Sequence, residues 1–184
     1  MKLQTRLIVG LAAVLAVVGW WYYSHTVIKD RAVDLIAELP HAERRSNPEA
    51  VASNFQVADV TIDGVTKKTI LAKPFARITY VVRVPPDAWL DVDFAMRPDS
   101  WPLSGDGAQF RVGVSEGRTY DEVLRQYVNP KEGGQKWFSA HLDLSAYAGR
   151  EVRIIFNTDP GPKGGGDARN DLAVWGEPHI YSRR

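Results

Sequence analysis

The sequence predicts an all-β domain, an antiparallel sandwich, preceded by one transmembrane helix and a short amphipathic helix. Three observations carry this. From Phe55 onward, apolar and polar residues alternate with period two in a series of short runs bounded by Gly, Pro and Asp-Gly pairs. Almost nothing of helical period lies between those runs, which favours antiparallel pairing over a parallel sheet with crossover helices. At the N-terminus, Leu7 to Tyr23 (LIVGLAAVLAVVGWWYY) carries no charge.

That N-terminal run would rise about 25 Å as a helix, and flanking residues complete a bilayer crossing. It ends in Trp20, Trp21, Tyr22 and Tyr23, side chains suited to the membrane interface, where a cleaved signal would end in small residues. An uncleaved anchor follows. Lys2 and Arg6 precede the span without nearby acids, whereas Lys29 and Arg31 beyond it are mixed with Asp30 and Asp34. Residues 1–6 are therefore expected in the cytoplasm and the domain outside it, in the periplasm of a Gram-negative cell. On a helical wheel Ala12, Ala13, Ala16 and Gly19 share one face, which allows a neighbouring helix to approach closely.

After the anchor, Ile28, Ala32, Leu35, Ile36 and Leu39 recur at helical spacing until Pro40, so an amphipathic juxtamembrane helix is expected over 24–40. The polar stretch HAERRSNPE reads as a linker, over 41–53, and the extracytoplasmic domain fills 54–184. Within it, Asp63-Gly64 between Ile62 and Val65 marks a tight hairpin, because both residues tolerate positive φ. Ile78 to Val84 alternates and stops at Pro85-Pro86-Asp87; Leu90 to Met96 alternates with Asp91 and Asp93; Phe110 to Val114 repeats the pattern. Tyr120 to Val128 imitates a capped helix at Thr119 and Glu122, yet its rhythm and Asn129-Pro130 suit a strand. Phe138, Ala140, Leu142 and Leu144 face opposite to Ser139, His141 and Asp143, and Val152, Ile154 and Phe156 continue the core.

Composition excludes several functions. The net charge is +1, so no broad positive field exists to hold nucleic acid. There is no cysteine, which removes disulfides, thiolate nucleophiles and zinc-thiolate sites. The sequence contains no H-E-x-x-H, G-x-S-x-G or Walker A motif, and His25, His41, His141 and His179 share no ligand spacing. A non-catalytic protein without a cofactor is expected.

The motifs W-F-x-x-x-L-D-L-S-A-Y-A-G (Trp137 to Gly149), E-V-R-I-I-F-N-T-D (Glu151 to Asp159) and N-D-L-A-V-W-G-E-P (Asn170 to Pro178) resemble the galactose-binding-domain-like superfamily. So do I-T-Y-V-V-R-V-P-P (Ile78 to Pro86) and G-D-G-A-Q-F-R-V (Gly105 to Val112), and the resemblance covers about residues 55–181. It implies a jelly roll of the kind found in carbohydrate-binding modules and discoidin-type domains, and a binding role towards glycans, lipid head groups or proteins. Related jelly rolls often carry a structural calcium ion, and Asp159, Asp167, Asn170 and Asp171 in the loop DPGPKGGGDARND are its candidate ligands. Against that, the loop lacks the spacing of a dedicated calcium loop.

Trp175 is expected to pack between sheets. Trp89, out of phase with its strand, and Trp101, in a loop, are the candidate contacts for a partner or a glycan. The preferred expectation is an accessory or scaffold subunit docked on a larger membrane protein complex and embedded in the lipid bilayer. The alternative is a membrane-tethered carbohydrate-binding module.

Overall fold

The period-two runs become strands. The computed structural model describes residues 29–47, 51–161 and 166–183. Among these are β1 (Lys29–Asp34), β2 (Glu43–Ser46), β3 (Val57–Ile62), β4 (Val65–Leu71), β5 (Ala76–Arg83) and β6 (Ala88–Met96). There follow β7 (Ala108–Ser115), β8 (Tyr120–Val128), β9 (Phe138–Asp143), β10 (Glu151–Pro160) and β11 (Ala173–Arg183). The described helical segments are single 3₁₀ turns, such as Pro98–Ser100 and Ser145–Tyr147. Residues 31–182 form one structural unit. The expected anchor, with Ala12, Ala13, Ala16 and Gly19 and with Trp20, Trp21, Tyr22 and Tyr23, lies outside the described residues. Among the described residues no helix is long and apolar enough to cross a membrane.

Two antiparallel sheets form the sandwich. One runs β3-β4-β11-β6-β9, with β1 also on β11; the other runs β2-β5-β10-β7-β8. The β3–β4 hairpin has Ile62 opposite Val65, and Asp63 (φ 50°) and Gly64 (φ 78°) make the expected two-residue turn. Tyr120 to Val128 is a strand, paired with β7 from Ala108 to Ser115. Its backbone hydrogen bonds complete the sheet edge, which a helix could not do.

Two expectations are corrected. The described part of the juxtamembrane helix is strand β1, a turn at 35–38 and one 3₁₀ turn, Leu39–His41. The apolar residues that suggested a helix face belong to the sandwich core, with Leu35, Ile36 and Leu39 all buried there. Asp34 Oδ1 accepts the Ile36 and Ala37 amides at 2.9 and 3.2 Å, turning the chain, and the Leu35 amide donates to the Pro178 carbonyl at 3.1 Å. The expected linker contains β2, which pairs with β5 from Ser46↔Ala76 to Glu43↔Thr79. Its charged residues suit it to a sheet edge, where one flank meets water.

The core is built around Trp175, 1 % exposed on β11. Its ring meets Phe94 of its own sheet at 5.8 Å and Phe110 and Phe156 of the facing sheet at 5.0 Å each, the last two edge to face. Its indole N–H donates to Thr158 Oγ1 at 3.2 Å, so the polar handle of a fully buried ring is satisfied. One side chain thus joins both sheets. A smaller cluster, Val60, Ile62, Leu71, Ala95 and Val174, lies apart from this core, with Trp101, Trp137 and Leu172 packed against it.

Trp175→Ala removes that joint and leaves a large cavity, so it should cost about 3–5 kcal/mol of stability. Chemical denaturation of the variant against the parent checks this; a loss below about 1 kcal/mol would mean that the aromatic cluster does not hold the sheets together.

Candidate functional site

Aromatic side chains that could meet a ligand are distinguished by exposure. Trp89 is 8 % exposed and lies between the His141 and Tyr181 rings, at 5.4 and 6.0 Å. Trp101 is half-buried, with its indole N–H on the Met96 carbonyl at 2.9 Å and its ring against the core. The structure therefore places both expected contact residues in packing roles. Trp137 is also half-buried; its N–H bonds the Val65 carbonyl at 3.2 Å and its ring faces Lys67 Nζ at 5.8 Å. Around it, Lys67 pairs with Asp93 at 2.8 Å and Asp93 accepts from Ser139, so that patch satisfies its own polar groups.

Phe75 is different: its ring is 44 % exposed. It stands on the loop between β4 and β5, and this loop is held tightly. Asn54, buried, accepts the Lys73 amide at 2.8 Å and donates to the Lys73 carbonyl at 3.0 Å. Asn47 and Phe75 exchange two backbone hydrogen bonds, each 3.1 Å. The loop backbone is thereby held, and Phe75 lines a cavity of about 250 Å³ together with Arg45, Ser46, Asn47, Arg77, Asn157 and Asp159. That volume is below the roughly 300–1,000 Å³ of pockets for drug-sized ligands and is on the scale of one sugar ring.

The cavity floor is the outer face of the second sheet. Arg45, Arg77, Asn157, Arg111 and Arg125 lie in cross-strand register on five neighbouring strands. Asn157 is only 4 % exposed, and its Oδ1 accepts from Arg77 Nε at 2.7 Å, which fixes the guanidinium. Arg111 is held by Asp159 at 2.6 Å and by Glu122 at 3.4 Å. Burial tends to lower the pKa of Arg111, but the bond and charge of Asp159 raise it above its ordinary value. The Arg125 bond is the leading cause that holds the Glu122 carboxyl below its ordinary value.

A second cavity, about 330 Å³, borders the other side of the same loop and is lined by Lys73, Pro74 and residues 168–172. A larger one, about 420 Å³, lies beside Val33, Ala42, Val81 and Val82. The Tyr80 ring that borders it is 3 % exposed, and burial pushes its hydroxyl pKa up. It offers no open aromatic face.

The residues expected to hold calcium do not form a ligand set. Asp159 is engaged by Arg111, and Asp167 pairs with Arg169 at 2.6 Å, a bond that holds its carboxyl down to about 2. The Asn170 amide donates to Ser104 Oγ at 3.1 Å. Among the described residues no group of three or more His, Cys, Asp or Glu side chains could hold a metal ion.

Asp171 instead ties loops together. It is 2 % exposed and accepts the Gly107 amide on Oδ1 at 3.1 Å. Gly107 has φ +91°, and a Cβ there would lie 2.3 Å from the Val128 carbonyl oxygen, so only glycine fits. Close by, Tyr127 donates to the Asp106 carbonyl, and Asp106 Oδ2 accepts the Asp167 amide at 3.3 Å. Burial, ahead of the nearby Asp106 and Asp167 charges, pushes the Asp171 carboxyl up to about 7.

No family model matches the sequence. An uncharacterized protein of Archaeoglobus fulgidus is 42% identical over 102 residues, which cover 54% of this chain and 25% of that protein. The chain therefore spans about a quarter of that relative's length. Among solved structures, the CBM51 of Clostridium perfringens GH95 in complex with methyl-galactose gives a TM-score of 0.53 at 12% identity, covering 82% of this chain and 99% of that one. The M60 catalytic domain with CBM51-1 and CBM51-2 from C. perfringens ZmpB gives 0.55 at 12% identity, covering 86% of this chain and 16% of that one. The fold is that of the galactose-binding-like jelly rolls, as the motifs from Ile78 to Pro178 imply.

Raising the Asp171 pKa in the folded state means that the native protein binds a proton more tightly than the unfolded chain. The contribution of this group to stability is therefore present at low pH and is lost as pH rises from about 4 towards 7. The groups held low, such as Asp167, change protonation only below that window. Thermal unfolding at pH 5 and pH 8 should show a drop in Tm that Asp171→Asn reduces, because asparagine keeps the acceptor for Gly107 without a charge. An equal drop in parent and variant would remove Asp171 as its cause.

Proposed function

We propose, from the galactose-binding-like jelly-roll fold, that this chain is a non-catalytic carbohydrate-binding module tethered to the membrane by residues 7–23. The single observation that carries the reading is the cavity beside Phe75. An exposed ring on a well-held backbone can stack on the apolar face of a sugar. Arg77 and Asp159 beside it present a donor and an acceptor of the kind that hydroxyl groups require. The neighbour bound to methyl-galactose adds support at the level of the fold.

The reading of the chain as a scaffold on a larger membrane complex rests on Ala12, Ala13, Ala16 and Gly19, outside the described residues, and on the amphipathic segment and linker, whose described parts are β1, turns and β2. Its candidate contacts Trp89 and Trp101 have packing partners of their own. The glycan reading is therefore preferred.

Its test is an array of neutral and acidic glycans probed with the full-length chain in detergent. Phe75→Ala should weaken the strongest binding about tenfold, the order expected from losing one aromatic stacking contact. Absence of binding to every glycan on the array would overturn the proposal. Unchanged binding by Phe75→Ala would move the site elsewhere.

A further inference from the structure

Charge within the cavity beside Phe75 points to a class of glycan. In the cross-strand row, Arg45 pairs with Glu43 at 2.5 Å, Arg111 with Asp159 at 2.6 Å, and Arg125 with Glu122 at 2.5 Å. Each of these arginines has an acidic partner. Arg77 has none among the described residues; its contact is the neutral Asn157 amide, through Nε. The acid in the cavity lining, Asp159, is held by Arg111, whose Nε and terminal nitrogen both reach its Oδ2, at 2.7 and 2.6 Å. One positive charge is thus left over, fixed in direction by a side chain that is itself buried, next to an open aromatic ring.

We infer that this cavity selects a glycan carrying an anionic group, a uronic acid, whose carboxylate binds Arg77 while the sugar ring stacks on Phe75. This rests on the glycan-binding reading above. A planar guanidinium matches a planar carboxylate with two parallel hydrogen bonds, and Asn157 holds the guanidinium by Nε, leaving its terminal nitrogens for the ligand. Because the guanidinium is already oriented, less side-chain freedom is lost on binding. A neutral sugar would meet the same ring but would leave the Arg77 charge unmatched. A sulfated glycan offers the same charge in tetrahedral form.

Calorimetric titration of the full-length chain separates these ligands. The probes are an oligogalacturonate, a neutral β-1,4-galacto-oligosaccharide of equal length and a sulfated galactan oligosaccharide, each at low and high salt. The oligogalacturonate should bind at least about tenfold tighter than its neutral counterpart, the order contributed by one charge-assisted bidentate contact, with the gap narrowing at high salt. Arg77→Gln should bring that ratio towards one, and Arg77→Lys should give an intermediate value because it keeps the charge but not the fork. Equal or tighter binding of the neutral oligosaccharide would overturn the inference while leaving the glycan-binding reading intact. Tighter binding of the sulfated galactan would overturn the carboxylate assignment, and an unchanged preference in a folded Arg77→Gln would overturn the role of Arg77. Failure of all three to bind, together with an array on which no glycan binds, would overturn both readings. If Arg77→Gln does not fold, the three-ligand comparison on the parent chain still decides the selectivity.

Discussion

The structure depends on a single joint, the indole of Trp175 clasped by Phe94, Phe110 and Phe156. Two sheets that present apolar faces to each other can slide or separate unless side chains from both interlock, because hydrophobic burial alone has no direction. Edge-to-face aromatic contacts and the Thr158 hydrogen bond supply direction. Thr158 lies on β10 immediately after Asn157, so the strand that bonds the tryptophan inward also carries the amide that orients Arg77 outward. Core packing and surface chemistry are linked there through the alternation of one strand.

The loop end uses a different device. Backbone amides that no strand can pair are taken up by buried or half-buried side chains: Asn54 holds Lys73, Asp171 holds Gly107, and Asp106 holds Asp167. Such bonds fix loops in one conformation because a buried polar group without a partner costs more than a typical hydrogen bond gains. The stiff Lys73–Phe75 loop follows. Asp171 adds a cost of its own, since desolvation disfavours its charge.

Much of the domain was legible in the sequence. Alternation located β5 to β10 and the inward residues of most of them, Asp63-Gly64 located a turn, and the motifs around Trp175 identified the jelly roll. What misled was periodicity without context. Leu35, Ile36 and Leu39 have helical spacing, yet they are buried from a turn and a single 3₁₀ segment at the sheet edge. Among the site residues, Trp89 drew attention by its phase and Trp101 by its place in a loop, but Trp89 is buried between neighbouring rings and Trp101 is half-buried with its indole N–H bonded to the chain. Phe75 carried no motif. Its signal was an aromatic residue directly after a proline in a short loop, where burial is hard to achieve. Of the candidate calcium ligands, Asp159 and Asp167 meet arginines, and Arg111 comes from a strand far away in sequence.

By itself the sequence determined the class of fold, the inward face of most strands and the absence of thiol chemistry. These depend on the identity of a residue and of its near neighbours, and alternation along one strand is a local property. Only the tertiary structure decided that Phe75 stays exposed while Trp89 does not, that Arg77 alone among the arginines of its cross-strand row has no acidic partner among the described residues, and that the Asp171 carboxyl is buried. Each of those is a relation among strands separated by tens of residues, set by cross-strand register. Arg45, Arg77, Asn157, Arg111 and Arg125 share one row because β2, β5, β10, β7 and β8 are neighbours in that order, which no reading along the chain contains.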